Sequence, residues 1–195
     1  MSPAHRETFE KLLKSGVGYA AIHWATSANK IELTGDYIAL LGGCFNFAFA
    51  NPALAFTQER LVQADKDHPI CRGWGEFDLK DEWYLAMKFD AKARPLLKVN
   101  VRADPKAKRP DPIDLTVAWT LEQAGANGGR SFGTTLAHPH ENFKLPAFRR
   151  MLVNGILWTA HVEVPPGGAP VEVSESDLTL PPPPPPPPAP EPKKP

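Results

Sequence analysis

Histidines and carboxylates at the ends of predicted strands are the residues of this chain most suited to chemistry. His23 ends one apolar run, His138 and His140 follow another, and Asp81 and Glu82 lie together in an extended segment. Ligands of open α/β sheets bind outside the carboxyl ends of the strands, which gives polar residues there more weight. Imidazole and carboxylate groups also suit zinc, iron or manganese, so a metal held by His23, His138 and a carboxylate is chemically permissible.

The residue pattern alone leaves several roles open for these side chains. Asp81 and Glu82 are adjacent, so their side chains should point to opposite sides and only one can face a given pocket. His138 and His140 are two apart and share one side if the backbone stays extended. His23 fits a tight turn after a strand, comparable to a nucleophile elbow, but also a structural hydrogen-bonding role. No fixed-spacing metal motif such as His-Glu-x-x-His accompanies them.

Other catalytic classes lack their sequence signatures. There is no Gly-x-Ser-x-Gly elbow, no Gly-x-Gly-x-x-Gly loop and no Walker A pattern. The two cysteines, Cys44 and Cys71, match no metal knuckle or disulfide framework, and we expect both to be buried free thiols. His68, between Asp67 and Pro69, is expected to stabilise a turn. We therefore expect no organic cofactor, and leave a divalent metal open.

The composition argues against nucleic acid as a partner and divides the chain into a folded body and a Pro-rich tail. The 195 residues carry 22 Lys plus Arg and 22 Asp plus Glu, a balance that argues against nucleic-acid binding. No apolar run reaches the roughly 20 residues of a membrane span. Prolines concentrate from Pro165 onward, which predicts a folded body over residues 1–164 and a disordered Pro-rich tail over 165–195. The eight prolines from Pro181 favour polyproline II, as a stiff linker or as the ligand of a polyproline-binding partner.

Hydrophobic periodicity predicts a mixed α/β body that positions these candidates. One helix contains Phe9, Leu12 and Leu13, a second spans Asp36 to Leu41 and ends at Gly42-Gly43, and a third begins at Pro146. The predicted strands are Val17 to Ile22, Arg60 to Ala64, Phe77 to Met87, Pro95 to Val101, Leu115 to Thr120 and Arg130 to Leu136.

Seven segments together are similar to one known family. They are Gly18-Tyr19-Ala20-Ala21-Ile22-His23-Trp24-Ala25, Leu41-Gly42-Gly43-Cys44-Phe45, Asp67-His68-Pro69-Ile70, Asp81-Glu82-Trp83-Tyr84, Val117-Ala118-Trp119-Thr120, Gly129-Arg130-Ser131-Phe132-Gly133-Thr134-Thr135-Leu136-Ala137-His138, and Phe148 to Trp158. Their order resembles the ThuA-like (trehalose utilisation) family of the class I glutamine amidotransferase-like superfamily. The resemblance implies a flavodoxin-like, doubly wound sheet.

The resemblance also implies a function. It places His23 where true amidotransferases hold their cysteine nucleophile, so glutamine hydrolysis is not expected. Family members are linked to sugars, including 3-keto disaccharides, which implies a hydrolase- or lyase-type reaction by proton transfer near a carbonyl. His23 and His138 would be the acid/base or polarising groups, and Glu82 or Asp81 would orient one of them or bind a sugar hydroxyl. The alternative is a non-catalytic sugar-binding or interaction module of the same fold.

Further residues are expected to contact the substrate. Trp24 and Tyr84 would line the pocket, and Gly42, Gly43 and His140 are additional candidates for substrate contacts.

Two departures from the family pattern generate further expectations. Relatives begin with additional elements before the helix that contains Phe9, so we expect an N-terminal part of the fold to be missing, which leaves the cellular location open. Relatives also carry a histidine soon after the Gly-Gly-x-Phe turn, where this chain has Asn46-Phe47-Ala48. If that histidine is a ligand in relatives, the site is incomplete here.

Overall fold

The chain forms a mixed α/β fold in the computed structural model, which describes residues 3–125 and 127–182. The helices are α1 (Pro3–Lys14), α2 (Thr34–Leu41) and α3 (Pro146–Thr159). The strands are β1 (Tyr19–Ile22), β2 (Gly43–Phe45), β3 (Leu54–Gln63), β4 (Phe77–Tyr84), β5 (Met87–Phe89), β6 (Arg94–Val101), β7 (Ile113–Glu122) and β8 (Arg130–Thr134). Most of the polyproline run lies outside the described residues.

Six strands build one mixed sheet in the order β1-β8-β7-β6-β3-β4, and β2 pairs with β5 separately. Within the described part of this sheet, β1 and β8 are parallel and every other neighbouring pair is antiparallel. The predicted mixed α/β class is confirmed, whereas the described residues form a mixed sheet rather than the regular pattern that a flavodoxin-like, doubly wound sheet implies. Parallel neighbours need long crossovers, usually helical, and no described α-helix lies between β3 and β8.

The β3–β4 pair projects beyond the rest of the sheet. Only Leu61, Val62 and Gln63 of β3 pair with β6, whereas β3 pairs with β4 all the way from Leu54 to Leu61. The unsupported half of this two-stranded arm ends at Tyr84, opposite Leu54. This arm is what carries the Asp81-Glu82 dipeptide out to the ends of β1 and β8.

The two faces of the sheet bury separate apolar clusters. Successive strand residues point to opposite faces, so Phe132 packs towards α3 while Gly133 packs against Trp119 on the α2 side. A Cβ on Gly133 would lie 2.3 Å from the Trp119 ring, so a larger residue would displace that indole. The Trp119 indole N–H donates to the Leu41 carbonyl at 3.0 Å, which fixes α2 on this face.

The helix boundaries agree with the sequence signals. α1 ends before Ser15-Gly16, and α2 ends at Gly42, whose φ of 89° is the left-handed conformation that glycine adopts without strain. α3 begins at Pro146 and buries its periodic apolar face, including Phe148 and Met151. Among the described residues, no helix combines the length and apolar character that a bilayer crossing requires.

Residues just beyond Val164 pack against the body rather than extending away from it. Ala169 and Val171 are buried, and their carbonyls accept hydrogen bonds from the Arg150 and Arg149 guanidinium groups. The Ala169 amide in turn donates to the Asn154 side chain at 2.9 Å. The packed region therefore continues past the predicted boundary at Val164, because α3 presents polar groups that satisfy this backbone.

Three buried polar side chains behave as the sequence predicts. Cys44 and Cys71 are free thiols, and burial raises their pKa values to about 11 and about 12. His68 caps a short 3₁₀ helix by accepting the Ile70 amide on Nδ1 at 3.2 Å, and it packs on Trp158. Burial lowers the His68 pKa to about 4, with the nearby Arg94 charge adding to the effect.

His68 should make folding stability dependent on pH. Its pKa is about 4 when folded against 6.5 unfolded, so the unfolded chain binds more protons and stability is lost as pH falls from 6.5 towards 4. We expect a loss on the order of 2–3 kcal/mol from this group. Urea unfolding at several pH values measures it, and His68→Asn, which keeps an acceptor for Ile70 without titrating, should flatten the slope above pH 5.

His161→Asn is the matched control. His161 is exposed and adopts a φ of 58°, a conformation that asparagine tolerates. This variant should keep the wild-type slope, and an unchanged slope in His68→Asn would exclude His68 as the source.

Candidate functional site

His23 occupies a strained turn directly after β1. It has a φ of 51° and begins the 3₁₀ helix His23–Thr26, so the chain reverses sharply where the strand ends. Its Nδ1 lies 2.9 Å from the Thr135 carbonyl oxygen. Because a carbonyl can only accept, Nδ1 carries the proton and Nε2 of a neutral ring presents its lone pair away from the backbone.

Nε2 of His23 faces two other predicted site residues. His138 Nδ1 lies 3.3 Å from it and Glu82 Oε2 lies 3.9 Å from it, while 3.5 Å separates His138 Nδ1 from Glu82 Oε2. The three atoms form one compact group with mutual separations below 4.8 Å. The side chains of His23 and Glu82 are 20% and 17% exposed and that of His138 is 49% exposed, so the group opens to solvent on the His138 side.

Asp81 points away from this cluster, as the alternation of an extended strand requires. It is fully buried, and its Oδ1 accepts the Glu82 and His138 amides at 2.7 and 3.1 Å. Its Oδ2 accepts the Ala137 amide and the Asn142 side-chain amide, both at 2.9 Å. The carboxylate thus accepts four hydrogen bonds, and it lies outside the cluster of His23, His138 and Glu82.

Aromatic rings surround the cluster. Trp24, which is about half exposed, packs against Phe47 at 5.7 Å and Tyr84 at 6.4 Å between ring centroids. Phe56, also half exposed, lies 5.8 Å from the His138 ring. The Tyr84 hydroxyl lies 3.4 Å from His23 Nδ1, and burial raises the pKa of this phenol, which keeps it protonated at neutral pH. Trp24 and Tyr84 therefore both lie beside the cluster, with Trp24 at the surface and Tyr84 buried beneath it.

Three predicted substrate-binding residues lie elsewhere. The space that a Cβ would need is filled by Leu121 and Trp119 at Gly42 and by Phe89 and Trp119 at Gly43, so these glycines allow close packing. His140 begins a short 3₁₀ helix, and its Nε2 donates to the Leu178 carbonyl at 2.9 Å. The structure does not bring His140 to the other two histidines, because its ring is held by the Leu178 carbonyl and packs 5.7 Å from the Phe143 ring.

Several residues of the site were missed by sequence reasoning. Thr135 contributes a main-chain carbonyl, which has no sequence signature. Phe47 and Phe56 fall in a stretch whose secondary structure the sequence does not define, although their aromatic character was visible. Asn142 supports Asp81 and also donates to the Lys80 carbonyl at 3.1 Å. These contacts link segments far apart in the chain, so residue spacing alone could not indicate them.

Comparison with known proteins gives one family and two structural neighbours. The ThuA family, described as trehalose utilisation, matches residues 1–159. A ThuA-like protein from Bacteroides uniformis superposes with a TM-score of 0.59 at 19% identity, and one from Parabacteroides merdae with 0.53 at 17%. The alignments cover 83% and 82% of this chain, and the chain spans 66% of the length of each neighbour. No curated protein matches the sequence.

Replacing Asp81 by Asn should destabilise the fold around the cluster. Each Asp81 oxygen accepts two hydrogen bonds, and asparagine would replace one of these oxygens by an NH₂ group. The two N–H donors at that position would then have no acceptor. We expect a loss of about 2–4 kcal/mol in the free energy of unfolding, since each buried unpaired donor costs about 1–3 kcal/mol. Urea denaturation measures the loss.

Asp78→Asn on the same strand is the control. The Asp78 side chain is 56% exposed and pairs only loosely with Arg60, at 3.5 Å. The control should change stability by no more than about 0.5 kcal/mol. If the two substitutions change the free energy of unfolding equally, the hydrogen bonds from the four donors are not the source of the stability that Asp81 provides.

Proposed function

The chain belongs to the ThuA (trehalose utilisation) family, and we propose that it acts on a sugar, with a 3-keto disaccharide as substrate class, at the cluster of His23, His138 and Glu82. The observation that supports this most is the convergence of two imidazole nitrogens and one carboxylate oxygen at a partly open surface. The residues that converge come from three distant strand ends, which is where α/β folds build their binding sites.

The reaction proposed is proton transfer next to the sugar carbonyl. A ketone acidifies the hydrogen on the neighbouring carbon, and loss of that proton places negative charge on the carbonyl oxygen. His23 Nε2 has an unshared lone pair because Nδ1 is held by Thr135, which suits it to accept the proton. His138 would donate to the oxygen, and the Glu82 carboxylate would stabilise whichever imidazole becomes positive.

The aromatic rim suits a carbohydrate ligand. The C–H faces of a sugar ring are apolar while its hydroxyls are polar, so a stacking aromatic surface beside hydrogen-bonding groups matches both. Trp24 and Phe56 supply exposed rings next to the cluster. The same rim also supports the alternative of a sugar-binding module without turnover, in which the cluster only hydrogen-bonds hydroxyl groups.

Activity measurements on the purified chain test the proposal. A panel of disaccharides and their 3-keto forms is offered, and turnover is expected with a keto form. His138→Ala, at a half-exposed side chain, should lower kcat by about 10²–10⁴-fold with little loss of stability. His23→Asn, which keeps the left-handed backbone, should have a similar effect.

His161→Asn is the control and should retain full activity, since this exposed histidine lies after α3 and outside the cluster. A keto sugar that raises the unfolding temperature without being turned over would favour the binding module. Turnover that survives both cluster substitutions would refute the proposed chemistry.

A further inference from the structure

We propose that His23 Nε2, His138 Nδ1 and Glu82 Oε2 are the ligands of a divalent transition-metal ion. The inference rests on the proposed function only in taking this cluster as the working site of the protein. It keeps the substrate class and the site of that function, but it gives His23 and His138 the role of ligands in place of acid-base groups and assigns the polarisation of the carbonyl to the ion.

The spacing of the three atoms matches a metal site. Their separations of 3.3, 3.5 and 3.9 Å are close to the edges of about 3.3–3.5 Å in a tetrahedron with ligand distances near 2.1 Å. A point equidistant from all three lies about 2.1 Å from each, which is within the usual range for nitrogen and oxygen ligands of zinc. That point lies in the plane of the three atoms, so a tetrahedral ion would require Glu82 Oε2 to move slightly closer to His23 Nε2.

Neighbouring hydrogen bonds fix the protonation of His23 and the positions of the three proposed ligands. The Nδ1 proton of His23 donates to the Thr135 carbonyl, the arrangement by which metal-bound imidazoles keep the other nitrogen free and oriented. The backbone amides of Glu82 and His138 donate to the same Asp81 oxygen at 2.7 and 3.1 Å. Two of the ligands are thus fixed relative to each other by one buried carboxylate, and the third is fixed by a backbone carbonyl.

The donor set indicates the class of ion and the kind of site. Two imidazoles and one carboxylate suit zinc, iron or manganese better than calcium or magnesium, which prefer oxygen ligands. Structural zinc sites are closed by four protein ligands, whereas catalytic sites keep a position for water or substrate. Three ligands with an opening on the half-exposed His138 side fit the catalytic kind.

A bound ion would change how the cluster works. The lone pairs of His23 and His138 would be donated to the ion, so the proton next to the carbonyl would pass instead to a hydroxide in the open position, formed from a water whose pKa the ion would lower. The carbonyl oxygen would be polarised by the ion, which stabilises the negative charge that develops there. The histidines would then act as ligands. Turnover would require metal, whereas the acid-base mechanism does not require it.

Direct metal binding is the test. The purified 195-residue chain is stripped with a chelator and titrated with Co²⁺, and binding is followed by absorption and by elemental analysis after dialysis against Zn²⁺. We expect one equivalent and a low-coordinate Co²⁺ spectrum without a thiolate charge-transfer band, since Cys44 and Cys71 are buried. His138→Ala and Glu82→Gln should each weaken Co²⁺ binding by about 100-fold or more.

His161→Asn, which removes an exposed histidine outside the cluster, should bind Co²⁺ as the wild type does. The inference is overturned if the wild-type chain binds neither Co²⁺ nor Zn²⁺, or if the two cluster variants bind as tightly as the control. Unfolding measurements on each variant exclude loss of binding through misfolding.

The metal titration contains no sugar, so its outcome is independent of the proposed function. Sugar turnover by a metal-free chain would overturn the metal inference and leave the proposed function standing. Stoichiometric metal binding by a chain that neither binds nor turns over any sugar of the panel would support the metal inference and refute the proposed function.

Discussion

The buried carboxylate of Asp81 is the interaction on which the site depends. It joins strand β4 to the turn that follows β8, by accepting the amides of Ala137 and His138 as well as the amide of Glu82. Ala137 has a φ of 96°, a conformation that costs free energy for any residue with a side chain, and the hydrogen bond to Asp81 holds it there. Without this contact, neither the orientation of His138 nor its distance from Glu82 would be set.

The contact between Asp81 and the turn after β8 depends on the way the β3–β4 pair extends beyond the rest of the sheet. β4 is the edge opposite β1 in the strand order, yet Glu82 meets His23 from the end of β1. The arm of β3 and β4 extends past β6 and returns towards the other edge, where Tyr84 stacks on Phe45 with ring centroids 4.3 Å apart. The apolar stacking and the Asp81 hydrogen bonds thus fix the arm at two points, and the cluster lies beside them.

Local signals in the sequence were sufficient for the helices and for the nature of the candidate residues. Gly42 ends α2, Pro146 begins α3, and the adjacent carboxylates Asp81 and Glu82 point to opposite sides, all as local rules require. The strand order was not predictable in the same way, because antiparallel pairing of β3 with β6 depends on contacts between distant segments. For the same reason His140 was grouped with His138 from spacing, although His138 faces His23 and His140 is bonded to the distant Leu178 carbonyl.

The close approach of three lone-pair atoms in the cluster bears on both proposals, acid-base catalysis and metal binding. Two neutral imidazole nitrogens and a carboxylate oxygen that meet at 3.3 to 3.9 Å would direct lone pairs at one another, which is unfavourable in a partly buried site. A hydrogen-bonding proton or a cation therefore has to lie between the atoms. A proton on His138 Nδ1 satisfies this need and gives a hydrogen-bonded acid-base group, whereas a divalent ion satisfies it for all three atoms at once. The same geometry therefore requires that proton transfer and metal binding compete for the same lone pairs, so a chain that uses one at this site gives up the other.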